Sequence, residues 1–225
     1  MGLSESQRPD TYTIRRLRRI LNITLSRQSC QILVDVGCGR GILSRLIDGD
    51  VAYVGLNLSP DDLRAECWLG RREDLRIAFS LPMIPVKTGS VDTVICTEVV
   101  EHVPRQAGLV AIRDMFRILK PMGRLVVSTP NGRSLSHIAR RKLLKRIRPD
   151  PNPEHITVYD WDMLRSMALS VGFREVRREP FDIVMEPKTP QAALATVLPM
   201  KLRVMLAKWI RALDQLLIMT ARKSV

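Results

Sequence analysis

The stretch Ile32-Leu33-Val34-Asp35-Val36-Gly37-Cys38-Gly39-Arg40-Gly41 constrains this chain most. Four of its first five residues are apolar, as in a strand buried on both faces of a parallel sheet. Three glycines follow at alternate positions, with Ile42, Leu43, Leu46 and Ile47 at helical spacing behind them. A strand that passes through such a turn into a helix lets backbone approach a ligand closely, beside unpaired helix N–H groups. An acid sits inside the strand, and the next strand, Val51–Leu56, arrives after one short helix.

At 225 residues the chain suffices for one α/β domain with a substantial core and is too short for two ordinary ones. A net charge of +13 calls for an anionic partner, whether nucleic acid, membrane surface or phosphorylated substrate. Aromatic residues make up only 4%, which leaves few platforms for stacking single-stranded bases. The cysteines Cys30, Cys38, Cys67 and Cys96 form no C-x-x-C pair and read as reduced cytosolic thiols. With no signal-peptide pattern and no apolar run of membrane-spanning length, a cytoplasmic protein is expected.

Residues 1–28 read as a basic amphipathic N-terminal helix packed on the domain. Ile14, Leu17, Leu21 and Leu25 share one side, and Arg15, Arg16, Arg18 and Arg19 form a solvated face on the other. Residues 29–225 form the main domain. Ser59, Pro60, Asp61 and Asp62 suit the start of a helix running to about Gly70. Strands are predicted at Leu75–Phe79, Val91–Cys96, Arg124–Ser128 and Leu216–Ala221. Helices are predicted over Gly108–Leu119 and Tyr159–Val171, the second capped by Gly172. Phe173–Val176 and Ile183–Met185 read as extended. A basic insert occupies 131–153 and an amphipathic helical insert 187–214. This alternation of β and α implies a doubly wound parallel α/β sheet, with ligand at the carboxyl ends of its strands.

Several stretches then line up in order over residues 30–178. They are the opening glycine turn, Tyr53–Pro60, Leu81-Pro82 through Ser90–Val94, Glu98–Val103, and Arg117–Asn131. Together they resemble the class I S-adenosylmethionine-dependent methyltransferases, in the type 11 branch that holds the ubiquinone-biosynthesis O-methyltransferases. The resemblance implies a Rossmann-like, mostly parallel seven-stranded sheet and S-adenosyl-L-methionine as cofactor. It implies methyl transfer to an oxygen of a small-molecule or lipid-linked acceptor. It also implies cofactor contacts from Asp35, Gly37, Cys38, Gly39, Gly41, Asn57, Leu58, Leu81 and Thr97, with Glu98, His102 and His155 around the reaction.

This chain departs from the family at Asn57, where the family offers a carboxylate to both ribose hydroxyls. An amide accepts from one hydroxyl and donates to another, without charge assistance. Asn57→Asp is therefore expected to tighten binding by on the order of 1 kcal/mol. The family acid before Leu81-Pro82 is absent from Ile77-Ala78-Phe79-Ser80, and Met122 replaces a usual turn glycine.

Glu98, Glu101 and His102 lie at i, i+3 and i+4, on one face if the segment is helical. Two carboxylates and an imidazole suit a divalent metal, as in the ubiquinone-type relatives; they equally suit a cleft lined without metal, or His102 as general base. His155, after Glu154, is placed at the acceptor site, and His137 falls inside the basic stretch.

From Met115 through Pro149 there is no acid, while Arg133, Arg140, Arg141, Lys142, Lys145, Arg146 and Arg148 accumulate. With Trp209 in the C-terminal amphipathic helix as an interfacial anchor, an anionic membrane surface and a lipid-like acceptor become candidate partners. The charge also permits a nucleic-acid substrate. Against that, Cys96-Thr97-Glu98 lacks the Asn/Asp-Pro-Pro-aromatic signature of base-amine methylation. Asn57 keeps open a catalytically inactive binding or scaffold protein.

Overall fold

In a computed structural model the described residues are 11–25, 31–64, 67–81, 83–134, 138, 154–181, 199, 201–202, 205 and 216–224. The inserts at 131–153 and 187–214, the extended segment Ile183–Met185, and His137 and Trp209 lie wholly or largely outside them.

Seven strands form one sheet: β1 (Ile32–Val36), β2 (Ala52–Asn57), β3 (Leu75–Ala78), β4 (Val91–Thr97), β5 (Leu119–Pro130), β6 (Phe173–Glu179) and β7 (Leu216–Lys223). Their order is β3-β2-β1-β4-β5-β7-β6. All neighbours are parallel except β7, which runs antiparallel to both β5 and β6. The chain moves outward from β1 through β2 and β3, then returns to β4 on the other side of β1. That reversal opens a crevice at the carboxyl ends of β1 and β4, where ligands bind in such sheets.

Both faces of the sheet are covered, so the central strands need apolar residues at every position rather than at alternate ones. Along β7, Leu217 and Met219 join one core while Leu216 and Ile218 join the other. The first core includes Ala111, Ile112 and Met115 of α2 (Arg105–Ile118) and Leu164 and Met167 of α3 (Trp161–Val171). The second holds Leu17, Ile20, Leu21 and Ile23 of α1 (Thr11–Leu25). Asp160 caps α3 by accepting from the Met163 amide at 2.9 Å, and Gly172, at φ +113°, ends it.

Two expected helices are shortened. Behind the glycine turn stands only a 3₁₀ turn, Ser44–Leu46, and after Pro60 only Asp61–Leu63. The Ser44 hydroxyl donates to Asp74 at 2.5 Å and the Leu69 amide to the Arg40 carbonyl at 2.7 Å, so this segment's polar groups bond across the fold. Asp48-Gly49-Asp50 then closes it before a longer helix could form. Leu43 and Ile47 are buried all the same.

The arginines of α1 also depart from the expected solvated face. Arg18 is exposed, but Arg15, Arg16 and Arg19 are half-buried. Arg19 lies 4.0 Å from Glu179, and the buried Arg124 donates to the Ile23 carbonyl at 2.7 Å, fixing the end of α1 on β5. Among the described residues, no helix is long and apolar enough to cross a membrane.

Candidate active site

The glycine loop is anchored from below. The Leu56 carbonyl, near the end of β2, accepts from both the Gly37 amide at 2.8 Å and the Cys38 amide at 3.0 Å. Its three glycines do different work. A Cβ on Gly37 would strike Val99, and one on Gly41 would strike the Trp68 ring, so these two let other side chains pack closely. Gly39, at φ +49°, has nothing within 4 Å of where its Cβ would stand. The open space of the cleft therefore begins at Gly39.

Asp35 is buried beneath the loop. Its Oδ2 accepts from the Tyr53 hydroxyl at 2.7 Å, while Oδ1 has no hydrogen-bond partner. Burial pushes its pKa up to about 7, against the opposing pull of the Tyr53 hydrogen bond and the Arg16 charge. At the end of β2, the Asn57 amide donates to Asp62 at 2.9 Å. Leu58 is 71% exposed, Leu81 and Thr97 are half-buried, and the buried Cys38 thiol is pushed up by burial and by the Asp35 charge.

On the β4 side, Glu98 follows the strand with φ +55°, and a 3₁₀ turn covers Val100–His102. The segment is therefore not α-helical, and the carboxylates do not share a helical face. Glu98 accepts from the Ser128 hydroxyl at 3.0 Å and lies 3.6 Å from Arg16. Glu101 is buried and accepts from Thr129 at 3.0 Å through Oε2, leaving Oε1 without a partner. Its carbonyl accepts from the Ile156 amide at 2.8 Å and the Thr157 amide at 3.0 Å, which brings His155 alongside. His102 and His155 meet edge to face at 5.1 Å, and His102 Nδ1 stands 3.1 Å from the Glu154 carbonyl oxygen.

A carboxylate oxygen of Glu101 and one nitrogen from each of His102 and His155 all lie within 4.8 Å of one another. The donor set that the fold brings together is thus Glu101, His102 and His155, with Glu98 beside Arg16. Burial and the Glu98 charge push Glu101 up to about 8, and burial raises Glu98 as well. Arg16 is the cation that draws down Asp35, Glu98 and Glu101 alike. Nothing in the local sequence distinguishes Arg16 from the arginines around it; its role comes from where α1 docks. Tyr53, Thr129 and Tyr159, a buried residue whose hydroxyl has no partner, complete the surroundings that motif reading passed over.

Open space beside Gly39 and an orphan oxygen on Asp35 fit a ligand that brings a hydrogen-bond donor to the loop. A methyltransferase-domain family profile matches residues 6–177. The chain belongs to the methyltransferase domain family. Within it the chain has the class I fold. A methyltransferase from Archaeoglobus fulgidus that depends on S-adenosylmethionine superposes with a TM-score of 0.65, at 19% identity over 97% of each chain. The ubiquinone biosynthesis O-methyltransferase of Psychrobacter arcticus is 34% identical over 113 residues, 47% of this chain and 43% of that protein. Its counterpart in Xanthomonas oryzae pv. oryzae is 34% identical over 104 residues, 44% of this chain and 43% of its own length. The matched stretches thus span under half the length of these curated relatives.

Proposed function

We propose that this chain transfers the methyl group of S-adenosylmethionine to an acidic, phenol-type oxygen of a small-molecule or lipid-linked acceptor. The observation that carries the oxygen assignment is the buried Glu101 carboxyl, with an unpartnered Oε1, grouped with the His102 and His155 imidazoles. The cofactor supplies an electrophilic methyl, so the O–CH3 bond forms as the S–CH3 bond breaks and the electron pair stays on sulfur. The chain's tasks are then to hold the two partners in line, exclude water and take the acceptor's proton.

Gly39 leaves room for the cofactor, and the free Asp35 oxygen suits its ammonium group. Arg16 is the cation available to its carboxylate. A phenol ionises near the tyrosine value of about 10, within reach of a carboxyl pushed up to about 8, whereas an alkyl alcohol is far too weak an acid. Val99, packed against Gly37, couples the segment that carries Glu101 and His102 to the glycine loop.

A second reading adds a divalent ion. Glu101, His102 and His155 offer one carboxylate oxygen and two imidazole nitrogens, a set that fits such an ion and would ease ionisation of the acceptor. Both readings are tested with 3,4-dihydroxybenzoate, following release of S-adenosylhomocysteine. Release should require the catechol and fall at least about tenfold in Glu101→Gln. Methylation of amines but not phenols would overturn the oxygen assignment, and full turnover after exhaustive chelation would remove the metal. The lipid-linked form of the acceptor is motivated by the +13 charge. Cosedimentation with anionic liposomes should then weaken as salt rises, and equal binding to neutral vesicles would count against it.

A further inference from the structure

The cofactor's ribose presents two hydroxyls, and a single carboxylate can accept from both. Asn57 offers a single acceptor oxygen without charge, so it cannot match that pair of charged acceptors. In this fold its amide group is already committed: Nδ2 donates to Asp62 Oδ2 at 2.9 Å and leans toward the Ser59 carbonyl at 3.4 Å. That link ties the Asp62 carboxylate to the end of β2 and leaves two further acceptor atoms on the pair, Asn57 Oδ1 and Asp62 Oδ1. Among the described residues neither receives a hydrogen bond.

Asp62 is also the acid of its turn that has been left without a cation. Its neighbour Asp61 pairs with Arg64 at 3.0 Å, whereas among the described residues no ion pair engages Asp62. Asp62 is half-buried, while Asp61 is exposed. Its charge reaches the Cys38 thiol of the glycine loop and helps to raise it. The hydrogen bond from Asn57 holds the Asp62 carboxylate at the end of β2.

Resting on the cofactor reading above, we propose that Asn57 and Asp62 together form the ribose subsite. Asn57 Oδ1 accepts from one hydroxyl, and Asp62 supplies the charged acceptor for the other. The charge that the end of β2 lacks is carried five positions later and held in place by the Asn57 amide. This reverses the expectation that Asn57→Asp tightens binding, since that change sets two carboxylates against each other where a hydrogen bond now stands.

The test is calorimetric titration of S-adenosylhomocysteine and its 2′-deoxy and 3′-deoxy analogues into the full chain. Asp62→Asn keeps the size of the side chain and should weaken S-adenosylhomocysteine about tenfold, the difference between a charged and a neutral hydrogen bond. It should leave the affinity for one of the deoxy analogues nearly unchanged. Asn57→Asp should also weaken binding. The swapped pair, Asn57→Asp with Asp62→Asn, should recover most of the loss. Wild-type affinity in Asp62→Asn, or an equal loss for all three ligands, would overturn the subsite while leaving the cofactor assignment intact. A wild-type chain that fails to bind S-adenosylhomocysteine would overturn both.

Discussion

On the β1–β2 side of the cleft the binding surface is mostly backbone, and its key position carries no side chain. Gly39 borders open space and the Leu56 carbonyl holds the loop. On the β4–β5 side the surface is made of side chains. Glu101 and His102, in the segment after β4, meet His155 of a later loop, with Glu98 on the same segment; Arg16 of α1 stands between the two sides, 3.6 Å from Glu98 and within electrostatic reach of Asp35. The first side can receive a large cofactor whose reactivity is already built in. The second can move a proton, because burial has placed a carboxyl near neutrality beside two imidazoles. In the function proposed above, this division separates where the methyl donor is held from where the acceptor is activated.

Breaking the first side should have the largest effect. Gly39→Val places a branched side chain in the open space, and S-adenosylmethionine affinity should fall more than a hundredfold, roughly, by calorimetry. The strain of valine at a positive φ costs about 1–2 kcal/mol, so a cooperative melting transition should survive. Unchanged affinity would place the cofactor elsewhere.

A smaller effect separates the two sides by pH. Asp35, raised from 3.8 to about 7, holds a proton in the folded chain that the unfolded chain has lost. Its contribution to stability is full below the unfolded value and is lost as pH rises through about 7. A cationic ligand favours the ionised carboxylate, so cofactor affinity should rise severalfold across that window. Asp35→Asn should flatten both trends. The groups facing Asp35 are Tyr53, Cys38, Cys96 and Arg16; Tyr53 and both thiols are pushed above their usual ranges by burial and stay neutral there. A pH slope that persists in Asp35→Asn would move the titration to the β4 side.

The smallest effect contrasts two strained residues. Met122 and Glu98 both adopt positive φ, +64° and +55°. Met122 is 40% exposed where the pairing of β5 with β4 shifts register, so Met122→Gly should stabilise the chain by about 0.5–1 kcal/mol in urea denaturation and leave cofactor affinity unchanged. Strain at Glu98 instead aims its carboxylate at Ser128 and Arg16. Loss of cofactor affinity in Met122→Gly would mean that this irregularity in β5 is coupled to the cleft.

The same division explains what the amino-acid sequence discloses. β1, β4 and β7 read directly as strands, because burial on two faces demands near-continuous apolar runs, interrupted here by Asp35 in β1 and by Asp92 and Thr93 in β4. The glycine loop reads directly because only glycine meets its steric demands. The helix expected after it fails for a physical reason: Ile42, Leu43, Leu46 and Ile47 have helical spacing, but bonds to Asp74 and from Leu69 fix the segment from outside. The sequence offers His155 as a candidate for the acceptor site, but its grouping with Glu101 arises only when the 154–157 segment bonds to the Glu101 carbonyl. Arg16 and Tyr53 likewise enter the site through packing between distant elements, and local pattern does not record that.

In the proposed function, cofactor holding and acceptor activation lie on different sides of one cleft. Calorimetric titration of S-adenosylmethionine into Glu101→Gln at pH 7 tests it most directly. Glu101, raised to about 8, is mostly protonated there, and glutamine copies its neutral form. Affinity should stay within about twofold of wild type while catechol turnover is lost. A drop in cofactor affinity as large as that of Gly39→Val would contradict it.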